Sequence, residues 1–128
     1  MLMKALLDTK LADLQSQLDG QLYFDSIVKA LYATDASVYR ELPTAVAFPK
    51  NKKDIQSLIK FVSENGLSII PRAAGTSLAG QCVGDGIVVD TKYFNQILEI
   101  NAQEQWVRVQ PGVVRDELNL LLKSYGLF

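Results

Sequence analysis

The sequence predicts an α+β protein built on a parallel βαβ core, with a second, smaller unit beginning near its C-terminal end. Three observations carry this reading. Two short β-prone apolar runs, "TAVAF" (44–48) and "LSII" (67–70, extending to 71), flank one amphipathic helix pattern with tight joints. Such joints require the two strands to be parallel, with a right-handed crossover. A third apolar run, "IVVD" (87–90), follows after a stretch rich in glycine and alanine. Beyond residue 96 the period changes: "ILEI" (97–100) and "QWVRVQ" (105–110) alternate about the polar turn "NAQE", the signature of a hairpin.

The elements follow in order. Met3, Leu7, Leu11, Leu14 and Leu18 recur at helical spacing over residues 3–19, and Gly20 stops that helix. A second helix is expected over Ser26–Ala33, capped by Asp25, with Ile27, Val28, Leu31 and Tyr32 facing inward. Pro43 and Pro49 bound the first strand. Asn51 then caps the crossover helix, with Asp54 three residues on as in a capping box. Ile55, Leu58, Ile59 and Val62 fall on one face of that helix, and Asn65-Gly66 supplies a left-handed stop. In the hairpin, Val107 and Val109 share one face, and Trp106 and Arg108 the other. Trp106 reads as a cross-strand packing residue. Pro111-Gly112 breaks the ladder, and a last helix is expected from Val114 to Tyr125, with Val114, Leu118, Leu121, Leu122 and Tyr125 on one face and Gly126 after it. Residues 1–31 thus form an N-terminal helical segment, 32–95 a first subdomain, and 96–128 the start of a second. Leu127-Phe128 reads as the first step of another apolar run, so the chain is expected to be a fragment of a longer protein.

Composition narrows the chemistry. The chain has 128 residues, 48% of them apolar and 21% charged, with a net charge of −1, which suits one globular domain with a real core. Acids and bases interleave. Lys52, Lys53 and Lys60 are the one basic grouping, and they read as a solvated helix face, so no nucleic-acid partner is expected. The N-terminus lacks a signal-peptide pattern, and no run approaches the ~20 apolar residues of a membrane span. With no histidine, the commonest general base, the usual nucleophile pairs and most zinc sites are absent. One cysteine, Cys82, permits neither an internal disulfide nor a thiolate cage, and reads as a small packing residue; no metal site is expected.

The distinctive stretch is "PRAAGTSLAGQ" (71–81). Ala73, Ala74 and Gly75 have almost no side chain, so a ligand can approach their backbone and meet consecutive N–H groups. Thr76 and Ser77 add two hydroxyls, and Arg72 adds charge, opposed by Asp85 nearby. Gly75 to Gly80 has the glycine spacing of a Walker A loop, but Gln81 and Cys82 stand where lysine and serine or threonine are required. The G-x-G-x-x-G dinucleotide fingerprint is absent too; Gly84-Asp85-Gly86 gives half of it. On composition alone, a phosphate-gripping loop and a long structural turn both remain open.

Three blocks, "YATDASVYRELPTAVAFPKNKKDI", "IIPRAAGTSLAGQ" and "VRVQPGVVRDELNLLLKSYGLF", come in an order and spacing that resemble the start of the FAD-binding (PCMH-type) domain of the vanillyl-alcohol oxidase / p-cresol methylhydroxylase flavoproteins. The likeness runs from about Tyr32 to Phe128, and is greatest to the branch of D-lactate dehydrogenases and the glycolate oxidase flavoprotein subunit. The resemblance implies that Pro71–Gly80 grips the FAD pyrophosphate, with Arg72, Ala73, Ala74, Gly75, Thr76, Ser77 and Gly80 at the cofactor. It places Pro111 and Gly112 of "QPG" near its nucleotide half and Pro49 near its adenine. Some relatives carry a flavin-linked histidine after the loop glycine; Thr76 stands there, which implies non-covalent FAD. Asp35 and Tyr39 of "DASVY" read as structural.

The resemblance further implies a cytoplasmic oxidoreductase, or one peripheral to the inner face of the membrane. It would oxidise a 2-hydroxy acid such as D-lactate or glycolate, held by a cap domain that these residues do not include. An iron–sulfur domain downstream is compatible with it. No residue here reads as catalytic, and the unpaired hairpin edge is an expected route to a homodimer. A non-redox module that binds a phosphate-bearing ligand through the same loop is the alternative.

Overall fold

The computed structural model describes residues 2–127. Four strands form the main sheet: β1 (Gln21–Tyr23), β2 (Ala45–Phe48), β3 (Ile69–Arg72) and β4 (Ile87–Asp90). Their spatial order is β1-β2-β4-β3, with β4 parallel to both β2 and β3, and β1 antiparallel to β2. The three expected strands are thus parallel, as the tight joints require. β2 and β3 are not neighbours, however, because β4 enters between them. The register sets Val88 between Val46 and Ile70. Pro71, which has no N–H, is tolerated because β3 lies at the edge of the sheet.

Every residue of β2 and β4 is buried. Alternate side chains therefore serve both faces, which explains why these strands read as continuous apolar runs. On one face Ala45, Ala47, Ile87 and Val89 meet Leu11 and Leu14 of α1 (Leu2–Gln17) and Leu58, Phe61 and Val62 of α3 (Lys52–Asn65). On the other, Val46, Phe48 and Val88 pack with Tyr23, Val28, Tyr32 and Ile70.

α3 begins where Asn51 Oδ1 accepts from the Asp54 N–H at 2.9 Å, and ends at Gly66 with φ 64°. Asp54 does more than a capping box asks. Its fully buried carboxylate accepts from the N–H groups of Asp19, Gly20 and Lys50, each at 2.9 Å. It thereby ties the α1–β1 turn to the β2–α3 turn. Ile59, expected inward, is 53% exposed; Phe61 takes that place beside Leu58 and Val62.

α2 is shorter than expected, Ser26–Leu31, though Asp25 caps it by accepting from the N–H groups of Ile27 and Val28. Ile27 and Leu31 point to solvent instead of inward, because one short helix can press only Val28 and the following Tyr32 onto the sheet. The N-terminal segment is not purely helical either, since it contributes β1.

β5 (Ile97–Asn101) and β6 (Trp106–Val109) form the expected antiparallel hairpin, with an irregularity between Ile97 and Glu99. Trp106 donates its indole N–H to Glu104 at 2.8 Å, and Arg108 lies 5.4 Å from its ring centre. The closing helix α4 (Arg115–Leu122) continues as a 3-10 turn to Tyr125 and stops at Gly126 with φ 70°. Leu122 is its one buried residue, while Val114, Leu121 and Tyr125 are exposed. Phe128, half of the expected apolar run, lies outside the described residues. Among the described residues no helix is long and apolar enough to cross a membrane.

Candidate functional site

Three parallel strands deliver their carboxyl ends to one edge of the sheet. There β2 ends at Phe48-Pro49-Lys50, β3 at Arg72-Ala73, and β4 at Asp90-Thr91-Lys92. Ligands of open α/β sheets bind outside this kind of edge. The connection from β3 to β4 is the whole of residues 73–86, and it contains no helix.

That connection keeps its first donors free. Among the described residues, the N–H groups of Ala73, Ala74, Gly75, Thr76 and Ser77 have no hydrogen-bond partner. Ala73, Ala74 and Thr76 are exposed. Gly75 holds φ +68°, a left-handed conformation that L side chains rarely adopt. Further along the loop organises itself: Ser77 Oγ accepts from the N–H groups of Ala79 and Gln81 at 3.2 and 3.1 Å. Gly80, at φ +73°, lies against Tyr39, whose Cδ2 would be 2.7 Å from any Cβ built there. Asp35 pins the far side, accepting from Ser37 N–H at 2.9 Å and Cys82 N–H at 3.4 Å. Hydrogen bonding from Ser37 holds the Asp35 carboxyl below the usual aspartate range. The structural reading of Asp35 and Tyr39 matches these contacts. Cys82 is a free, half-buried thiol.

The motif at 110–112 reaches the same edge through Thr91. The Thr91 N–H donates to the Arg72 carbonyl at 2.9 Å, at the base of the loop. Gly112 N–H donates to the Phe94 carbonyl at 2.7 Å, and any Cβ on Gly112 would collide with the Thr91 carbonyl oxygen. Only glycine permits this approach. Pro111 is exposed beside it. Pro49 is fully buried, where Gly20 crosses the end of β2, and presents no open surface.

Cations gather along this edge. Lys92 Nζ stands 4.1 Å from the Phe48 ring centre and 5.3 Å from that of Tyr93, and Lys50 Nζ is 5.8 Å from Tyr93. Lys50, Arg72 and Lys92 form no ion pair with a carboxylate among the described residues. Sequence reasoning missed Lys50 and Lys92, although their places directly after strand ends were available as a signal. Beneath them Phe48 meets Tyr23 and Tyr32 edge-on, at 5.8 and 5.7 Å between ring centres.

Free backbone donors, the Thr76 hydroxyl, a glycine in the left-handed region and a cationic rim suit a phosphate-bearing ligand. The fold and the edge together define a nucleotide-cofactor-binding α/β module. More narrowly, residues 43–128 match the family model "FAD binding domain", and the chain belongs to that family, with FAD as its cofactor. It is 43% identical over 113 residues to the D-2-hydroxyglutarate dehydrogenase of Pseudomonas putida, covering 85% of this chain and 11% of that one. It is 36% identical over 117 residues to the glycolate oxidase subunit GlcD of Bacillus subtilis, covering 88% of this chain and 25% of that one. Among solved structures, Physcomitrella patens BBE-like 1 superposes with a TM-score of 0.75 at 23% identity, over 89% of this chain and 26% of that one. The p-cresol methylhydroxylase structure does so with a TM-score of 0.73 at 15% identity, over 94% of this chain and 25% of that one. The PCMH-type fold and the family expected from the sequence are both correct.

Proposed function

We propose that this chain is the pyrophosphate-gripping part of a flavoprotein that oxidises a 2-hydroxy acid of the D-2-hydroxyglutarate, D-lactate or glycolate kind. The two curated relatives support the substrate class, and the chain spans 11% and 25% of their lengths. The observation that carries the loop's role is its row of five unpartnered N–H groups at the carboxyl edge. FAD, when bound, supplies the acceptor for the substrate's hydride. The chain's own residues bind and orient. Ala73 to Ser77 direct their N–H groups at the phosphates, and Gly75 gives them the curvature to converge. Gly112 holds the 110–112 turn against Thr91, so that both walls share one anchor. Thr76 stands where a covalent link would need a nucleophilic ring nitrogen, so FAD is held without a bond to the protein.

Gly75→Val in the intact protein tests the loop. The β-branched side chain cannot adopt φ +68° without strain, so the N–H groups turn away. Loss of three such hydrogen bonds, at ~1 kcal/mol each, weakens FAD binding by about 100-fold. Calorimetric titration of the flavin-free variant reads this directly, and wild-type affinity would rule the loop out as the grip. Mixing the flavin-loaded protein with D-2-hydroxyglutarate, D-lactate or glycolate should bleach the flavin absorbance. Bleaching by none of the three would remove the substrate class.

A further inference from the structure

We propose that Arg72 is a positioning residue: its guanidinium braces Gly75 from the protein side, and FAD binding depends on that brace rather than on a phosphate contact by Arg72. The inference rests on the reading of Ala73–Ser77 as the phosphate grip. Arg72 is the last residue of β3, opposite Asp90 of β4, and from there its side chain turns back toward the protein. Nη1 donates to the Thr34 carbonyl at 2.8 Å. Cζ stands 4.9 Å from the centre of the Tyr32 ring. The same group lies against Gly75: a Cβ built there would be 2.7 Å from Cζ and 2.8 Å from Nε. The Gly75 carbonyl accepts from the Ala36 N–H at 3.2 Å. Gly75 therefore lies against the Arg72 side chain and is hydrogen-bonded to the 34–36 segment.

The brace has its own support. Tyr32 donates its hydroxyl to Asp90 Oδ2 at 2.7 Å, and Asp90, 7% exposed, also accepts from the Lys92 N–H at 2.9 Å. Phe48 meets the Tyr32 ring edge-on at 85°. A chain of contacts thus runs from the central strand through Asp90, Tyr32 and Arg72 to the glycine whose positive φ shapes the loop. Arginine suits this place because one planar group can stack on a ring and hydrogen-bond at its edge. Lysine would keep the charge but has no planar group to make both contacts at once.

The test uses the intact protein with two readouts: FAD affinity, and the rate at which elastase nicks the flavin-free loop after Ala73 or Ala74. Arg72→Lys should weaken FAD binding by at least about tenfold and speed nicking several-fold, although the charge is kept. Tyr32→Phe retains the ring under the guanidinium but loses the bond to Asp90, and should fall between wild type and Arg72→Lys in both. Tyr32→Leu removes the ring and should follow Arg72→Lys. Arg72→Lys with wild-type affinity would overturn the brace. So would weakened affinity with an unchanged nicking rate, since that pattern marks a phosphate ligand. If Tyr32→Leu fails to fold, Arg72→Lys and Tyr32→Phe still decide. A wild-type protein that binds no FAD would remove the reading of the loop, while the nicking rates would still uphold or overturn the brace.

Discussion

The parallel sheet and the hairpin unit are stabilised in different ways. In the sheet, β2 and β4 are buried at every position and helices or side chains cover both faces. In the second unit, Leu122 is the one buried hydrophobic residue among those described, and Ile97 and Leu98 of β5 are exposed. The hairpin is held by its ladder and by surface pairs such as Arg108–Glu99 at 3.0 Å, with both side chains about half exposed or more. Exposed pairs of this kind contribute ~0.2–1 kcal/mol. The comparison teaches where rigidity is available: the glycine loop is rooted in the self-contained sheet, whereas the 110–112 turn borrows its position from Thr91.

Four measurements would break or sharpen that comparison in the intact protein. Leu58→Ala, at the centre of the first core, should cost about 3 kcal/mol in chemical denaturation. A loss under ~1 kcal/mol would mean that the sheet does not govern stability. Asp54→Asn should cost about 2 kcal/mol, because an amide cannot accept from all three N–H groups that converge there. An unchanged midpoint would show that the two turns are held otherwise. Third, burial, and then its hydrogen bond to Asp90, push the Tyr32 hydroxyl far above the usual tyrosine range. The folded value is the raised one, so this contribution is intact below the unfolded tyrosine value near 10 and is lost as pH rises above it. Stability should therefore fall above about pH 10 in wild type and fall less in Tyr32→Phe. Equal alkaline sensitivity in both proteins would count against this. Smallest is Leu98→Ala, expected to change stability by less than ~0.5 kcal/mol. A cost matching that of Leu58→Ala would mean that β5 is covered in the intact protein, and the contrast between the units would disappear.

Much of this was readable from the sequence. Asn51 and Gly66 announce both ends of α3 because caps are local chemistry. The continuous apolar runs at 44–48 and 87–90 announce strands buried on both faces. Periodicity, however, says nothing about which strand lies beside which, so β4's place between β2 and β3 was hidden. β1 was missed because Gln21–Tyr23 is too short to show a period. For the site, the small residues and the glycine were visible, as was the family. The inward turn of Arg72 was not, because it depends on Tyr32 and Thr34, which reach it only through the folded sheet.

The central position of β4 also sets the order of events on the ribosome. β2 and β3 are synthesised before it, yet their native places lie two strand spacings apart, roughly 9.6 Å, with nothing between them. Until residues 87–90 emerge, neither β2 nor β3 has its parallel partner, and unpaired strand edges invite misassembly. Entry of β4 closes both edges at once. The tether that governs this entry is residues 73–86, so the stretch proposed to grip the cofactor is also the one whose length and stiffness time the completion of the sheet.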